Sequence, residues 1–155
     1  MYLGGSGGTG KSRVIQAFVD FSRRWLATAS TVITASSGVA AVLIGGCTIH
    51  SALGLKNSMK PGDPTPAMIA AWSEIGVMFI DEFGMVKADL YDLINIRLRK
   101  LKSRPDKPYG GVHMIYSGDF YQLPPVGSSL FTPPTRKKML TMKMLCHLCA
   151  EETNG

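Results

Sequence analysis

The residues best suited to chemistry lie almost at the front of this 155-residue chain: Gly4-Gly5-Ser6-Gly7-Gly8-Thr9-Gly10-Lys11-Ser12. Gly5, Gly10, Lys11 and Ser12 satisfy the spacing G-x-x-x-x-G-K-[ST], which serves to hold a polyphosphate. Polyphosphate is strongly anionic and must be met closely by backbone N–H groups. Glycine permits that approach because it has no Cβ and adopts positive φ without penalty. A helix opening at Lys11 adds its own unpaired N–H groups and dipole. Lys11 then reaches the β- and γ-phosphates, and the Ser12 hydroxyl is placed to ligate Mg²⁺. The plainer reading of the stretch is a glycine-rich turn between a strand and a helix.

A second chemical group follows the apolar run Ile75–Ile80, which leads straight into Asp81-Glu82. In a parallel sheet, ligands bind at the carboxyl ends of the strands, so two acids there suit a metal–nucleotide site. Asp81 can hold Mg²⁺ directly or through water. Glu82 can polarise a water for attack on a γ-phosphate. The alternative is an acidic turn that caps the next helix; pairing with the glycine loop favours the catalytic reading. Gln122, after a further strand, can reach between loop and carboxylates. Neutral and bidentate, it can bond both the γ-phosphate and the attacking water without competing for the metal.

Other candidates carry less. His50 taken alone reads as a structural histidine. Cys146 and Cys149 form a C-x-x-C, half of a zinc site with no second pair in the chain, and read as an incidental pair. Cys47, in a small-residue loop, reads as a buried thiol. Arg97, Arg99, Lys100, Lys102, Arg104 and Lys107 make one helix end and its loop basic; a solvated, dipole-matched helix terminus explains them as well as a nucleic-acid contact does. Lys56 and Lys60 read as part of a solvated loop.

The elements that must position these groups alternate in type. Met1–Leu3 reads as the end of a strand. Lys11 to about Leu26 reads as a helix whose apolar stripe is Val14, Phe18, Phe21 and Trp25, with Ile15 and Val19 alongside. Thr31–Ala35 is a short β-branched strand, and Val39–Ile44 a small helix ended by Gly45-Gly46. Thr48–Ser51 opens another short segment, Lys56–Pro66 a loop, and Ala67–Trp72 a helix. Lys87–Lys102 is the clearest amphipathic helix, with Leu90, Leu93, Ile94, Leu98 and Leu101 on one face. Pro105–Gly111 is a loop and Val112–Tyr116 the fourth strand. Past Gly127 the periodicity fades, through Arg136-Lys137-Lys138 to the cysteine pair, and no internal repeat is evident.

With 45% hydrophobic and 18% charged residues the chain reads as one globular domain. Its net charge of +6 leans mildly towards an anionic partner. No apolar run is long enough to span a bilayer, and the N-terminus has no signal-peptide layout. Three cysteines beside a nucleotide site suggest a reducing compartment.

Four blocks, in order, resemble the first motor domain of the petite-integration-frequency (PIF) helicases, including those of Helitron-type transposons. They are GGSGGTGKS, TASSGVAAVLIGGCTIHSALG, FIDEFGMV and SGDFYQLPPV, spanning about Met1 to Val126. The last is the most specific. The resemblance implies an α/β P-loop NTPase fold, with a RecA-like parallel sheet carrying helices on both faces. It implies a superfamily-one, RecD-related motor that moves 5′→3′ on single-stranded DNA, in repair, recombination, telomere maintenance or transposon replication. It implies ATP held by Gly7, Gly8, Thr9, Gly10, Lys11 and Ser12, and Mg²⁺ by Ser12 and Asp81. It implies catalytic roles for Lys11, Glu82 and Gln122, with Gln122 coupling the γ-phosphate to the DNA groove. Thr34, Ser36, Ser37, Gly38, Thr48, His50 and Ser51 match segments that contact the single-stranded DNA backbone. Hydroxyls, backbone N–H groups and an imidazole suit that task, since they bind phosphate without reading sequence.

Two departures are visible: Ser36-Ser37 where the family has Pro-Thr, and Gly84 where it has serine. The resemblance also implies a second RecA-like domain that supplies an arginine finger, an adenine-recognising segment ahead of the first strand, and a further strand beside the P-loop strand. The expected organisation is therefore a motor domain over residues 1–131, incomplete at both ends, and an irregular basic tail over 132–155. An arginine finger contributes roughly 10³–10⁵ in rate to related enzymes. Weak hydrolysis and no unwinding are thus expected of these residues alone, in a product that reads as a truncated piece of an intracellular protein, in the nucleus or another DNA-containing compartment. The rival readings are a non-enzymatic remnant that binds nucleotide or single-stranded DNA, and a small P-loop kinase, which leaves GDFYQLPP unexplained.

Overall fold

The computed structural model describes residues 1–25, 31–55 and 62–119. Gln122, Arg136–Lys138, the Cys146/Cys149 pair, Lys56 and Lys60 lie outside that set. The elements, in order, are β1 (Tyr2–Gly4), α1 (Lys11–Trp25), β2 (Thr31–Ala35), α2 (Gly38–Leu43), β3 (Cys47–Thr48), α3 (Ile49–Leu53), α4 (Pro66–Ser73), β4 (Val77–Asp81), α5 (Ala88–Leu101) and β5 (His113–Gly118). One-turn 3₁₀ segments, Phe83–Met85 and Pro108–Gly111, flank α5. All strand pairings are parallel, in the order β1-β5-β4-β2-β3. β1, the strand that feeds the glycine loop, ends the order on one side among the described residues. None of the described helices is long and apolar enough to cross a membrane.

A parallel sheet is covered on both faces, so its strands read as nearly continuous apolar runs. Successive side chains nevertheless point to opposite faces, and the two faces have different partners. Val32, Met78, Ile80, Met114 and Tyr116 point into the larger core, with Ile49 and Leu53 of α3, Trp72 of α4, and Tyr91, Ile94, Leu98 and Leu101 of α5. Full burial of a large aliphatic side chain contributes about 1.5–3 kcal/mol, so α5 is the main clamp on this face. On the other face Ile33 and Ala35 meet Ala40, Ala41 and Ile44 around α2. The Phe18 ring of α1 stands edge-on to Phe79, centroids 5.1 Å apart.

Helix α1 is rotated relative to its expected stripe. Ile15 and Val19 are buried together with Ser22, whereas Val14 and Phe21 are more than half exposed; the Trp25 side chain lies outside the described set. The cause lies at the helix start. Ser12 lines the pocket described below, and Ile15, Val19 and Ser22 follow it at helical spacing on the same face. The loop, not the number of aromatic rings, sets which face packs.

At the basic end of α5, Lys100, Arg104 and Lys107 are exposed as a solvated terminus would have them, but Arg97 and Lys102 are not. Arg97 is 3% exposed. Its guanidinium donates to the Leu53 carbonyl at 2.9 Å and to the Gly62 carbonyl, and it lies 3.6 Å from the Met68 sulfur. Lys102 Nζ donates to the carbonyls of Trp72, Ser73 and Ile75 at 3.0, 2.7 and 3.0 Å, closing the C-terminal end of α4. These two cations staple α5 to α3, α4 and the segment between them.

Candidate functional site

The chain leaves β1 at Gly4 and enters α1 at Lys11, and the loop between is folded on itself. Gly8 and Gly10 have φ of +78° and +89°, and a Cβ built on either meets nothing within 4 Å. The requirement for glycine at these two positions is therefore conformational. At Gly5 it is steric, because a Cβ would come within 2.7 Å of Thr9 Oγ1. That hydroxyl donates to the Ser6 carbonyl at 2.9 Å. Lys11 Nζ donates to the carbonyls of Gly5 and Ser6 at 2.6 and 2.8 Å, so the ammonium braces the mouth of the loop. An ammonium has three N–H donors.

Facing this loop is the end of β4. Continued extended backbone would send Asp81 and Glu82 to opposite faces of the sheet. Instead Glu82 adopts φ 52° and ψ 42°, the left-handed region. The chain turns at once into the 3₁₀ segment, with Met85 N–H donating to the Glu82 carbonyl at 3.0 Å. Asp81 and Glu82 then both line one pocket of about 170 Å³, together with Gly7, Gly8, Lys11, Ser12, Gly118 and Asp119. Phe83 anchors the turn beneath: its ring centroid is 4.3 Å from Tyr116 and 5.7 Å from Tyr91. Tyr116 donates its hydroxyl to that of Tyr91 at 3.2 Å, and burial pushes the phenols of Tyr91, Tyr109 and Tyr116 up from the usual tyrosine range. Gly118 lets β5 approach the turn closely, since a Cβ there would lie 3.1 Å from Phe83 N.

The donor set suits a hard divalent cation bound together with a phosphate. Asp81 is 8% exposed, and its carboxylate meets no hydrogen-bond donor or cation among the described residues. A buried carboxylate is stable only with a compensating charge or donor. No group of three His, Cys, Asp or Glu side chains able to hold a metal occurs among the described residues. A hard cation such as Mg²⁺ takes one or two protein oxygens and completes its shell with water and phosphate. Asp119, Gly118, Gly84 and Met85 also line the pocket, and residue chemistry alone had not singled them out. The signal available was the block SGDF, whose first three residues close β5 against the acidic turn. With glycine at position 84, that wall of the pocket has no side-chain hydroxyl.

The residues matched to DNA-contacting segments gather at the same carboxyl edge, beyond β2 and β3. Ser37 caps α2 by accepting from Ala40 N–H at 3.2 Å, and Thr48 caps α3 by accepting from Ser51 N–H at 3.2 Å. Gly38, His50 and Ser51 are exposed. Thr34 departs from the expectation. It is fully buried and its hydroxyl donates to the Phe79 carbonyl at 2.6 Å, so its side chain fastens β2 to β4 and presents nothing to a ligand. Ser36 N–H donates to the Asp81 carbonyl at 3.3 Å, a direct backbone tie between this edge and the acidic turn. Cys47 is half-buried rather than buried, and desolvation raises its thiol from the ordinary range.

Comparison with known proteins agrees with this geometry. A family model described as PIF1-like helicase matches residues 1–146. The ATP-dependent DNA helicase PIF6 of Trypanosoma brucei brucei is 38% identical over 139 residues, which cover 83% of this chain and 17% of that protein. The chain thus spans under a fifth of that relative's length. A crystal structure of Pif1 helicase from Candida albicans superposes with a TM-score of 0.72 at 34% identity, over 83% of this chain and 31% of that one. A Bacteroides Pif1 in complex with ADP-AlF3 and ssDNA superposes with a TM-score of 0.68 at 25% identity, over 93% and 32%.

Proposed function

Because this chain belongs to the PIF1-like helicase family, we propose that it is the ATP-hydrolysing motor domain of a DNA helicase moving 5′→3′ on single-stranded DNA. The observation that carries the reading is the single pocket joining Lys11 and Ser12 to Asp81 and Glu82. The solved relative holding ADP-AlF3 and ssDNA supports both ligands.

In this reading the N–H groups of Gly7–Ser12 cradle the phosphates, and Lys11 brings its ammonium to the β- and γ-phosphate oxygens. Ser12 and Asp81 would hold Mg²⁺, which when bound would offset the negative charge of the phosphates. Glu82 sits one residue beyond the metal ligand, re-aimed by its left-handed backbone. Its carboxylate orients a water towards the γ-phosphate and accepts a proton from it. Gln122, carried on the chain that follows Asp119, senses the γ-phosphate. Ser37, Gly38, Thr48, His50 and Ser51 hold the DNA backbone at the sheet edge, with the Ser36–Asp81 tie linking that edge to the nucleotide. A second RecA-like domain completes the site in trans to this sheet, and the protein works in a compartment that contains DNA.

The decisive measurement is a thermal melt of the 155-residue chain with Mg²⁺ and a non-hydrolysable ATP analogue. Ligand at 100 times its Kd adds about 2.7 kcal/mol, or about 5–10 °C for a domain of this size. Lys11→Ala abolishes the shift. A melt that ignores the nucleotide in the unsubstituted chain overturns the reading.

A further inference from the structure

Among the described residues several buried polar atoms lack a hydrogen-bond partner, Thr31 Oγ1, Ser36 Oγ and Arg99 Nε among them, and the strands place two unpartnered groups side by side. One is the Asp81 carboxylate, described above. The other is Ser117, which is fully buried and whose hydroxyl has no hydrogen-bond partner. β4 and β5 are paired in parallel, with Ile80 opposite Tyr116. The next residues along each strand are Asp81 and Ser117. Ile80 and Tyr116 both point into the core on the α5 side. Alternation therefore turns Asp81 and Ser117 together to the other face, where α1 and Ser12 lie.

Buried hydroxyls almost always find a partner, and one that does not calls for an explanation. A carboxylate that ligates a metal through one oxygen keeps its orientation when a donor holds the other. Among the described residues Asp81 has no such donor. Neighbouring strands are about 4.8 Å apart, and serine has three staggered χ1 wells of similar energy. A turn about one side-chain bond is thus enough to bring the hydroxyl to the carboxylate, with no change of backbone.

We propose that Ser117 is a positioning residue for the cation: when the site is loaded, its hydroxyl donates to the Asp81 oxygen that faces β5. The hydroxyl without a partner is then the resting state of a switchable hydrogen bond, and loading satisfies both groups at once. This rests on the nucleotide-site reading above. The competing account is packing alone, in which β5 carries a small residue here because nothing larger fits beneath α1. The two accounts differ in what an alanine does.

The test is Mn²⁺ binding, followed by the electron paramagnetic resonance of free Mn²⁺, to the 155-residue chain saturated with a non-hydrolysable ATP analogue. Ser117→Ala weakens Mn²⁺ affinity by about 10- to 100-fold, the range for loss of a partner to a metal ligand. Affinity for the nucleotide without metal stays the same, and the ligand-free melting temperature is unchanged or higher, because a buried unpaired hydroxyl has been removed. Ser117→Thr, which keeps the donor, restores Mn²⁺ affinity; Ser117→Cys, close to isosteric but a weak donor, behaves like alanine. Mn²⁺ affinity in Ser117→Ala within about two-fold of the unsubstituted chain, far short of that range, overturns the inference and leaves packing. So does an equal loss of metal-free nucleotide binding, which makes Ser117 a support of the loop. Absence of Lys11-dependent nucleotide binding in the unsubstituted chain overturns the underlying reading instead.

Discussion

Glu82 stands where a non-glycine residue is strained. Holding its backbone in the left-handed region costs about 1–3 kcal/mol, and the return is that consecutive carboxylates face one pocket. The cost and the function can be separated. Glu82→Gln keeps the backbone and the affinity for Mg-ATP but cannot take a proton, so single-turnover hydrolysis falls to background. Glu82→Gly removes both the carboxylate and the strain; a denaturant titration then shows stability unchanged or raised by up to about 1 kcal/mol. A clear loss of stability in Glu82→Gly means the side chain itself holds the turn and the strain argument fails. The sequence announced the acid pair through its neighbours, an apolar run before it and a glycine loop upstream. It gave no sign of the positive φ, because nothing local at Asp81-Glu82-Phe83 favours it. The Phe83–Tyr116 stack and the close approach of Gly118 impose it from β5. Thr34 shows the converse: hydroxyl chemistry suited it to phosphate, but only the pairing of β2 with β4 reveals that the Phe79 carbonyl takes the hydroxyl.

Helix α5 carries the same lesson at the level of an element. Its apolar face was legible as Leu93, Ile94, Leu98 and Leu101 at helical spacing, and the boundaries fall within a residue or so of those expected. Arg97 lies on that buried face too, but its charge marks it as surface in any reading of periodicity. What places it inside is the end of α3 and the segment before α4, whose Leu53 and Gly62 carbonyls need a donor. Removing the guanidinium orphans the Leu53 and Gly62 carbonyls and opens a cavity. Arg97→Ala therefore lowers stability by about 3 kcal/mol in a urea titration, whereas Lys100→Ala, which breaks an exposed pair with Asp63, produces no measurable change. Equal small effects from the two substitutions would return Arg97 to the role of a solvated helix end. The rotation of α1 was hidden for a related reason. Phe18, Phe21 and Trp25 form the more obvious stripe, and only the demand that Ser12 face Asp81 selects the Ile15–Val19–Ser22 face.

Across the whole molecule, one edge of one sheet collects the glycine loop, the acidic turn and the caps of α2 and α3, and this arrangement constrains how the proposed DNA partner would be held. The chain carries a net charge of +6, which alone suggests a cationic groove. Two of the basic residues best placed to make one, Arg97 and Lys102, are spent on internal carbonyls. The exposed edge offers instead the hydroxyls of Ser37, Thr48 and Ser51, the backbone of Gly38 and the imidazole of His50. A phosphate bound by neutral donors releases few counterions, so single-strand affinity varies weakly with salt, with a log–log slope of only about −1 to −2. These donors carry no base code, so a homopolymer and a mixed sequence bind alike. Fluorescence anisotropy with a labelled oligothymidylate and a mixed oligonucleotide, across a salt series, reads both quantities. His50→Ala weakens binding and Thr34→Val, which alters only a buried hydroxyl, does not. Because Ser36 N–H is bonded to the Asp81 carbonyl, Mg-nucleotide shifts the affinity for DNA, and DNA shifts the affinity for nucleotide by the same factor. A slope steeper than about −4, equivalent to five or more phosphates neutralised, places the DNA on cations elsewhere in the chain and removes the carboxyl edge from consideration. Equal affinities with and without nucleotide leave DNA at that edge but break the proposed link through Ser36.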